Sequence, residues 1–348
     1  MKAAENLVGL DLDGGWHVDE LWKRPPQSTG GYSSISYLVS NKEGEKAFLK
    51  ALDFSTALQD EDPARRLYYL TSAYEFERNL LCQCRDKRLQ HVVVPLADGT
   101  AKVPGNFGDL GNVPYLIFAM ATGDIRAEVE RWEVFDLAWA LRSLHHCAVG
   151  LQELHSLGIA HQDVKPSNVL VFPVEGSKLT DLGSASQVGN PSQSDKKNVP
   201  GDVSYATPEQ WYGWSQSSDF TNRYLIDLYR LGSLIFFFFA GCSATDAIQL
   251  KLSIKHGGNF TRSDFISDLP YMQYAFNETL HDLCTLIETP AKDLTDEIIM
   301  IAQELCEPDP RRRGDPAARA AAYRKQYDVQ AYISRFDRLA KQAEIRMR

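Results

Sequence analysis

The sequence predicts an α+β chain in two lobes, a small and mainly antiparallel β lobe with one helix, then a larger and mainly helical lobe. Three observations predict it. Extended alternation punctuated by Gly, Pro and Asn dominates up to residue 120, and apolar spacings of three and four dominate beyond it. Between them, Met120-Ala121-Thr122-Gly123-Asp124-Ile125 loses apolar periodicity, as a hinge would. The expected boundaries are 1–21 for an N-terminal extension, 22–120 for the β lobe, 121–318 for the helical lobe and 319–348 for a basic helical tail.

At 348 residues and 44% hydrophobic, the chain has ample core for such a body. A net charge of -9 argues against a generally nucleic-acid-binding surface. The six cysteines are scattered without paired ligand spacing, so free thiols in a reducing cytoplasm are expected. Cys82 and Cys84 stand two apart on a predicted helix and point apart, which argues against a metal pair. Residues 1–15 lack the apolar core of a secretory signal, and no export is expected.

Taken in order, Trp16-His17-Val18 and Leu21-Trp22 form a candidate first strand. Gly30 and Gly31, followed by Tyr32, make a glycine turn between extended segments; it serves either a phosphate-covering hairpin or a plain turn. Lys46 to Leu52 alternates as a strand, with Phe48 and Lys50 on one face and Leu49 on the other. A lysine there requires anions, which a nucleotide's phosphates and Glu77, on the inward stripe of the helix Leu67 to Arg85, would supply. The bland alternative is a snorkelling Lys50 and a solvated Glu77. Further strands are expected at Val92 to Leu96 and Tyr115 to Phe118, with a loop from Asp98 to Pro114 between them. Val134 to His155 reads as a helix that breaks at Gly158.

The stretch His161-Gln162-Asp163-Val164-Lys165-Pro166-Ser167-Asn168, continued by Asp181-Leu182-Gly183, reads as a phosphate-transfer centre. Asp163 can take a proton from an attacking hydroxyl, Asn168 and Asp181 offer hard oxygen ligands to Mg²⁺, and Lys165 can neutralise a moving phosphoryl group. Val169 to Phe172 and Lys178 to Thr180 suit a hairpin that returns Asn168 and Asp181 to one end. Singly, these residues are a turn cap, a solvated charge and a loop start. As a fixed set of five, with His161, they should arise by chance at roughly 3 in 10⁷ starting points.

Beyond them, Ser184 to Gly201 is polar and without period, and Leu231 to Cys242, with four phenylalanines, is too short to span a bilayer and reads as a buried helix. Helices are expected at Ile266 to Ala275, Leu280 to Ile287 and Asp296 to Leu305. In the tail, Val329, Ile333, Phe336, Ala340 and Ala343 make an apolar helical stripe among basic residues. The stripe suits packing on the acidic body, or else contact with a partner or a nucleic acid.

In this order the motifs resemble the Ser/Thr protein kinase family of the eukaryotic type, over roughly Trp22 to Arg319. The resemblance implies a two-lobed protein-kinase-like fold, with Asp163 as catalytic base assisted by Lys165, and Lys50 paired with Glu77 to orient phosphates. Gly30, Gly31 and Tyr32 would cover ATP, Ala119 to Ala121 would present backbone to adenine behind Phe118, and Asp124 would bond the ribose. Asn168 and Asp181 would hold Mg²⁺. Glu209 of Thr207-Pro208-Glu209 would pair with Arg313, Asp227 would brace the catalytic-loop backbone, and Leu81, Leu96, His161 and Leu182 would form an apolar column.

Four departures stand out. Ser28 and Ser33 replace glycines, Leu182 replaces phenylalanine, and Gln162 replaces an arginine that grips an activation-segment phosphate in many relatives. Asp202 replaces a threonine, and either pairs with Lys165 or repels Asp163. The implied activity is ATP-dependent transfer of a phosphoryl group to Ser or Thr of a protein substrate, without need of activation-loop phosphorylation, and with no membrane partner. Two rivals are a pseudokinase acting as a binding module and a kinase of small molecules.

Overall fold

Alternating burial along neighbouring segments builds the sheet of the first half of the molecule. The computed structural model describes residues 2–23, 34–215, 220–258, 260–321 and 326–346. It divides into two units, Met1–Leu89 with Val93–Thr122, and Gln90–Val92 with Gly123–Arg348. In the first unit β1 (Asp11–Leu12), β2 (Trp16–Leu21), β3 (Ser34–Ser40), β4 (Lys46–Leu52), β5 (Pro95–Lys102) and β6 (Asn112–Ala119) form an antiparallel sheet in the order β1-β2-β3-β4-β6-β5. Ala47, Leu49 and Ala51 of β4 bury one face with Tyr37, Val39, Tyr115 and Ile117, which leaves Phe48 and Lys50 on the other.

Three expectations change here. Residues 1–21 are no appendage, because Trp16 and Val18 enter the same core and β2 pairs with β3. The strand expected at Val92 to Leu96 begins at Pro95 instead. The loop expected from Asp98 to Pro114 is largely sheet, with β5 and β6 in register from Gly99↔Tyr115 to Lys102↔Asn112. Composition hid it: Asp98 is a poor strand former, but Arg78 and Arg85 of α1 (Pro63–Asp86) neutralise it. Helix α1 starts at Pro63, before the expected Leu67, because the Asp62 side chain caps the Arg65 N-H and proline suits the first turn.

The second unit contains α2 (Ile125–Val129), α3 (Leu137–Ser156), α4 (Pro208–Trp211), α5 (Thr221–Ala240), α6 (Ala244–Lys255), α7 (Phe265–Ala291), α8 (Thr295–Cys306), α9 (Pro316–Ala320) and α10 (Gln330–Arg346). It also holds short strands, β7 (Gly123–Asp124), β8 (Ile159–Ala160), β9 (Val169–Phe172), β10 (Gly176–Leu179) and β11 (Ser186–Gln187). Helix α5 is the apolar centre: Leu228, Leu231, Leu234 and Ile235 are fully buried. Among the described residues no single helix is long and apolar enough to cross a membrane.

The two helices expected between Ile266 and Ile287 are one, α7, which carries Pro270 and Pro290 within it. Apolar burial of Phe265, Met272, Phe276, Leu283 and Ile287 outweighs the hydrogen bonds that the prolines remove. The tail packs back on its own unit. Phe336, Leu339 and Ala340 of α10 are buried, Arg142 of α3 bonds Asp337 and Glu344, and Arg335 reaches Glu297 and Glu304 of α8.

Candidate active site

Strand β4 and helix α1 bring Lys50 and Glu77 together within the first unit. Lys50 Nζ lies 3.4 Å from Glu77 Oε1, and the two side chains are 32% and 14% exposed. Glu77 is carried by a helix pinned on both sides: Tyr74 Oη donates to Tyr115 O, and Arg78 Nε donates to Asp98 Oδ2 at 2.8 Å. The Asp98 carboxyl pays a burial penalty, yet the two arginines hold it below the usual carboxylate value. Strand β6 ends at Ala119, paired with Ala47, so residues 120 and 121 run past the ladder. Phe118 is half-buried, whereas Leu96 is 51% exposed, too open for the apolar column assigned to it. Gly30, Gly31 and Tyr32, with Ser28 and Ser33, lie outside the described residues.

In the second unit a hairpin brings the polar residues of 161–168 close to Asp181. The β9–β10 hairpin pairs Val169 with Leu179, and Thr180 N donates to Asn168 O at 3.0 Å, which sets Asn168 and Asp181 at the same end. The Asp163 carboxylate is held by four donors. Its Oδ2 accepts from Asn168 Nδ2 at 3.0 Å and lies 3.2 Å from Lys165 Nζ. Its Oδ1 accepts from Asp202 N at 2.8 Å and from Arg230 Nη1 at 3.2 Å. Gly201, at φ +79°, is required there, since a Cβ would collide with that carboxylate.

Asp202 resolves one of the alternatives, since its Oδ2 sits 3.3 Å from Lys165 Nζ and its side chain does not turn on Asp163. Burial pushes the Asp202 carboxyl up, but Ser204 and Lys165 outweigh it and hold the group below its ordinary value. Asp227 braces the backbone as expected, accepting from His161 N at 2.8 Å and Gln162 N at 2.7 Å, with His155 Nε2 at 2.9 Å. Those bonds hold Gln162 at φ 60°, a left-handed conformation that a non-glycine residue adopts only under such constraint. Arg313 grips Glu209 with both terminal nitrogens, at 2.7 and 2.8 Å, and both residues are buried.

The donor set fits a hard divalent cation. Asn168 commits its amide N-H groups to Asp163 O and Oδ2, so its oxygen is the atom that faces the ligand role, and Asp181 is exposed at φ 66°. No group of three His, Cys, Asp or Glu suited to a metal occurs among the described residues. A two-residue set is what a cation shared with phosphate oxygens requires. Asp124 is used differently from the expectation: it caps α2 and is paired with Arg126 Nη2 at 2.7 Å, so a ribose would compete with that arginine.

The segment after Asp181 is pinned by polar contacts that the sequence did not announce. Strand β11 pairs with β8. The buried Ser186 hydroxyl accepts from Gln162 Nε2 and Arg223 Nη1 and donates to Asp195, which Arg223 also meets directly. Arg223, Asp195 and Arg230 were missed because each looks like an ordinary surface or helix residue until its distant partner is known.

An antiparallel sheet whose Lys50 meets Glu77 of α1, and a helical unit in which Asp163 is flanked by Lys165 and Asn168, are features of a protein-kinase-type fold. The family model described as "Protein kinase domain" matches residues 29–322, and the chain belongs to that family. It is similar to serine/threonine-protein kinase PknA of Mycobacterium tuberculosis, 28% identical over 231 residues that make up 65% of this chain and 46% of that relative. It is also similar to serine/threonine-protein kinase SBK1 of Danio rerio, 35% identical over 104 residues (29% of this chain, 26% of the relative). An Aurora kinase of Debaryomyces hansenii is 28% identical over 156 residues, 44% of this chain and 36% of that protein. The chain thus spans about half the length, or less, of these relatives.

Proposed function

We propose that this domain transfers the γ-phosphoryl group of ATP to Ser or Thr hydroxyls of a protein substrate. The fixed orientation of the Asp163 carboxylate carries the reading. Four donors, Lys165 among them, orient it, so an incoming hydroxyl that displaces Lys165 or Asn168 from Oδ2 meets an acceptor already in place. The substrate O–H proton goes to Asp163, the new O–P bond forms as the bond from γ-phosphorus to the β-γ bridging oxygen breaks, and ADP leaves. Lys165 neutralises charge on the moving group, and Lys50, held by Glu77, neutralises the α and β phosphates. Gly30, Gly31 and Tyr32 cover the nucleotide, Ala119 and Ala121 present backbone to adenine, and Asp124 is offered to the ribose. Asn168 and Asp181 would hold Mg²⁺, which supplies charge neutralisation at phosphate oxygens.

The reading includes independence from activation-segment phosphorylation. Gln162 cannot grip a phosphate as an arginine does, and Asp195 with Arg223 already forms the anion-guanidinium contact on that segment. Ser186 is fully buried in the network, so its replacement would test packing and not modification. Phosphatase-treated protein should keep its full rate; a rate that vanishes on treatment and returns on phosphorylation would sink this part. A reducing, cytoplasmic setting accords with six unpaired cysteines, three of them buried.

Transfer of labelled phosphate from ATP to a Ser/Thr peptide library is the central experiment. Wild type should label peptides and Asp163→Asn should be slower by about 10²–10⁴-fold with its melting temperature unchanged. Nucleotide binding without any Asp163-dependent transfer would favour a binding module instead. Labelling of a metabolite panel with no peptide product would favour a small-molecule kinase.

A further inference from the structure

Arg230 stands in the middle of α5 among Leu228, Tyr229, Leu231 and Leu234, and it is fully buried. A guanidinium in such surroundings is tolerated only when its charge and its donors are matched. The matching is one-sided. Nη1 donates to Asp163 Oδ1 at 3.2 Å, and Nη2 donates to the carbonyls of Pro200 at 3.3 Å and Asp202 at 3.2 Å. Nε has no partner among the described residues. Each of these bonds therefore ends on the reacting carboxylate or on the two carbonyls that flank Gly201, the residue pressed against that carboxylate.

Charge points the same way. Asp163 and Asp202 face a single ammonium, Lys165, from 3.2 and 3.3 Å. Arg230 adds a second cation to these two carboxylates, and Asp227 adds a third carboxylate to its surroundings. An arginine kept only to fill space would direct donors at the helices around α5, and this one spans the catalytic loop and the segment lying on it.

We infer that Arg230 is a positioning residue for phosphotransfer: its guanidinium fixes the orientation of the Asp163 carboxylate and ties residues 200–202 against it. The inference rests on the kinase reading above. It adds a permanent strut to the base, present in the unmodified chain, which is a source of order that Gln162 cannot provide through a phosphate.

A double-mutant cycle on the full chain tests it, with kcat and the KM for ATP measured for wild type, Arg230→Met, Asp163→Asn and the double variant. Arg230→Met should lower kcat about tenfold to a hundredfold, with the KM for ATP within about twofold. In the Asp163→Asn background the same change should alter the residual rate by less than about twofold, because the group it serves is gone. Equal losses in both backgrounds would overturn the inference and leave Arg230 as a purely structural residue. If Arg230→Met melts near room temperature, Arg230→Lys, which keeps a cation, replaces it in the same cycle; its loss should be about threefold to tenfold and again confined to the Asp163 background. Failure of the parent reading looks different: wild type would then be no faster than Asp163→Asn before any Arg230 variant is made, and the positioning role would fall with it.

Discussion

The two lysines singled out by the sequence, Lys50 in the first unit and Lys165 in the second, sit in different surroundings. Lys50 Nζ lies 3.4 Å from Glu77 and its side chain is about a third exposed, whereas Lys165 is 15% exposed between two carboxylates at 3.2 and 3.3 Å. The first pair is the longer and more solvent-open of the two. The second is part of a closed network with Arg230 and Asn168, which holds its shape before any ligand arrives. In the proposed reaction a nucleotide's phosphates would complete the Lys50 side, while the Asp163 side is already ordered by the fold.

Replacing each lysine by methionine is the most direct way to break that comparison. Both changes should slow peptide phosphorylation by about 10²–10³-fold, since each removes a charge aimed at phosphate. Only Lys165→Met should also lower the melting temperature, because it removes the ammonium that Asp163 and Asp202 share, whereas a partly exposed pair such as Lys50–Glu77 contributes roughly 0–1 kcal/mol to folding. Equal melting temperatures would erase the distinction. Next in size, Arg313→Met should cost about 3–5 kcal/mol in denaturant unfolding, because it strands the buried Glu209 carboxylate. Glu77→Gln belongs to the more open pair and should slow transfer only about tenfold, mainly through a higher KM for ATP, with stability changed by less than about 0.5 kcal/mol.

The smallest effect concerns pH. Burial pulls the His146 imidazole from its ordinary value of 6.5 down to about 3, with the charges of His91, His145 and Arg142 adding to the shift, and its Nδ1 accepts the Ser177 N-H at 3.2 Å. Below pH 6.5 the unfolded chain takes up a proton at this position that the folded chain refuses until about pH 3. His146 therefore lowers stability progressively as pH falls through that window and has no such effect above it. Melting curves of wild type should fall more steeply toward acid than those of His146→Asn, which keeps an acceptor but no titrating ring. Parallel curves would remove His146 from the account.

How much could be read from the sequence depended on whether a residue's partner lay within reach of a pattern. Strand β4 was placed at its observed ends because the order of residues from Lys46 to Leu52 puts Ala47, Leu49 and Ala51 on one face and Lys46, Phe48 and Lys50 on the other, and the hairpin after Asn168 was legible from its two short apolar runs. The Glu209–Arg313 and Asp227 contacts came from the family resemblance. Periodicity could show that Arg230 lies on a helix, but not that its guanidinium meets an aspartate 67 positions earlier. Asp98 misled for a related reason, since an acid at the head of a stretch rich in glycine, proline and asparagine reads as loop until two arginines from α1 are known to neutralise it. The break expected within α7 followed propensity where tertiary burial decides.

The packing of α10 against α3 sets a practical limit on dissecting this molecule. The family match ends at residue 322, ahead of a helix whose Tyr332 and Phe336 have no exposed surface. A chain cut at that apparent border would bare an oily flank on α3 and leave Arg142 without Asp337 and Glu344. Clumping of such a fragment would speak of a missing cover and say nothing about its chemistry.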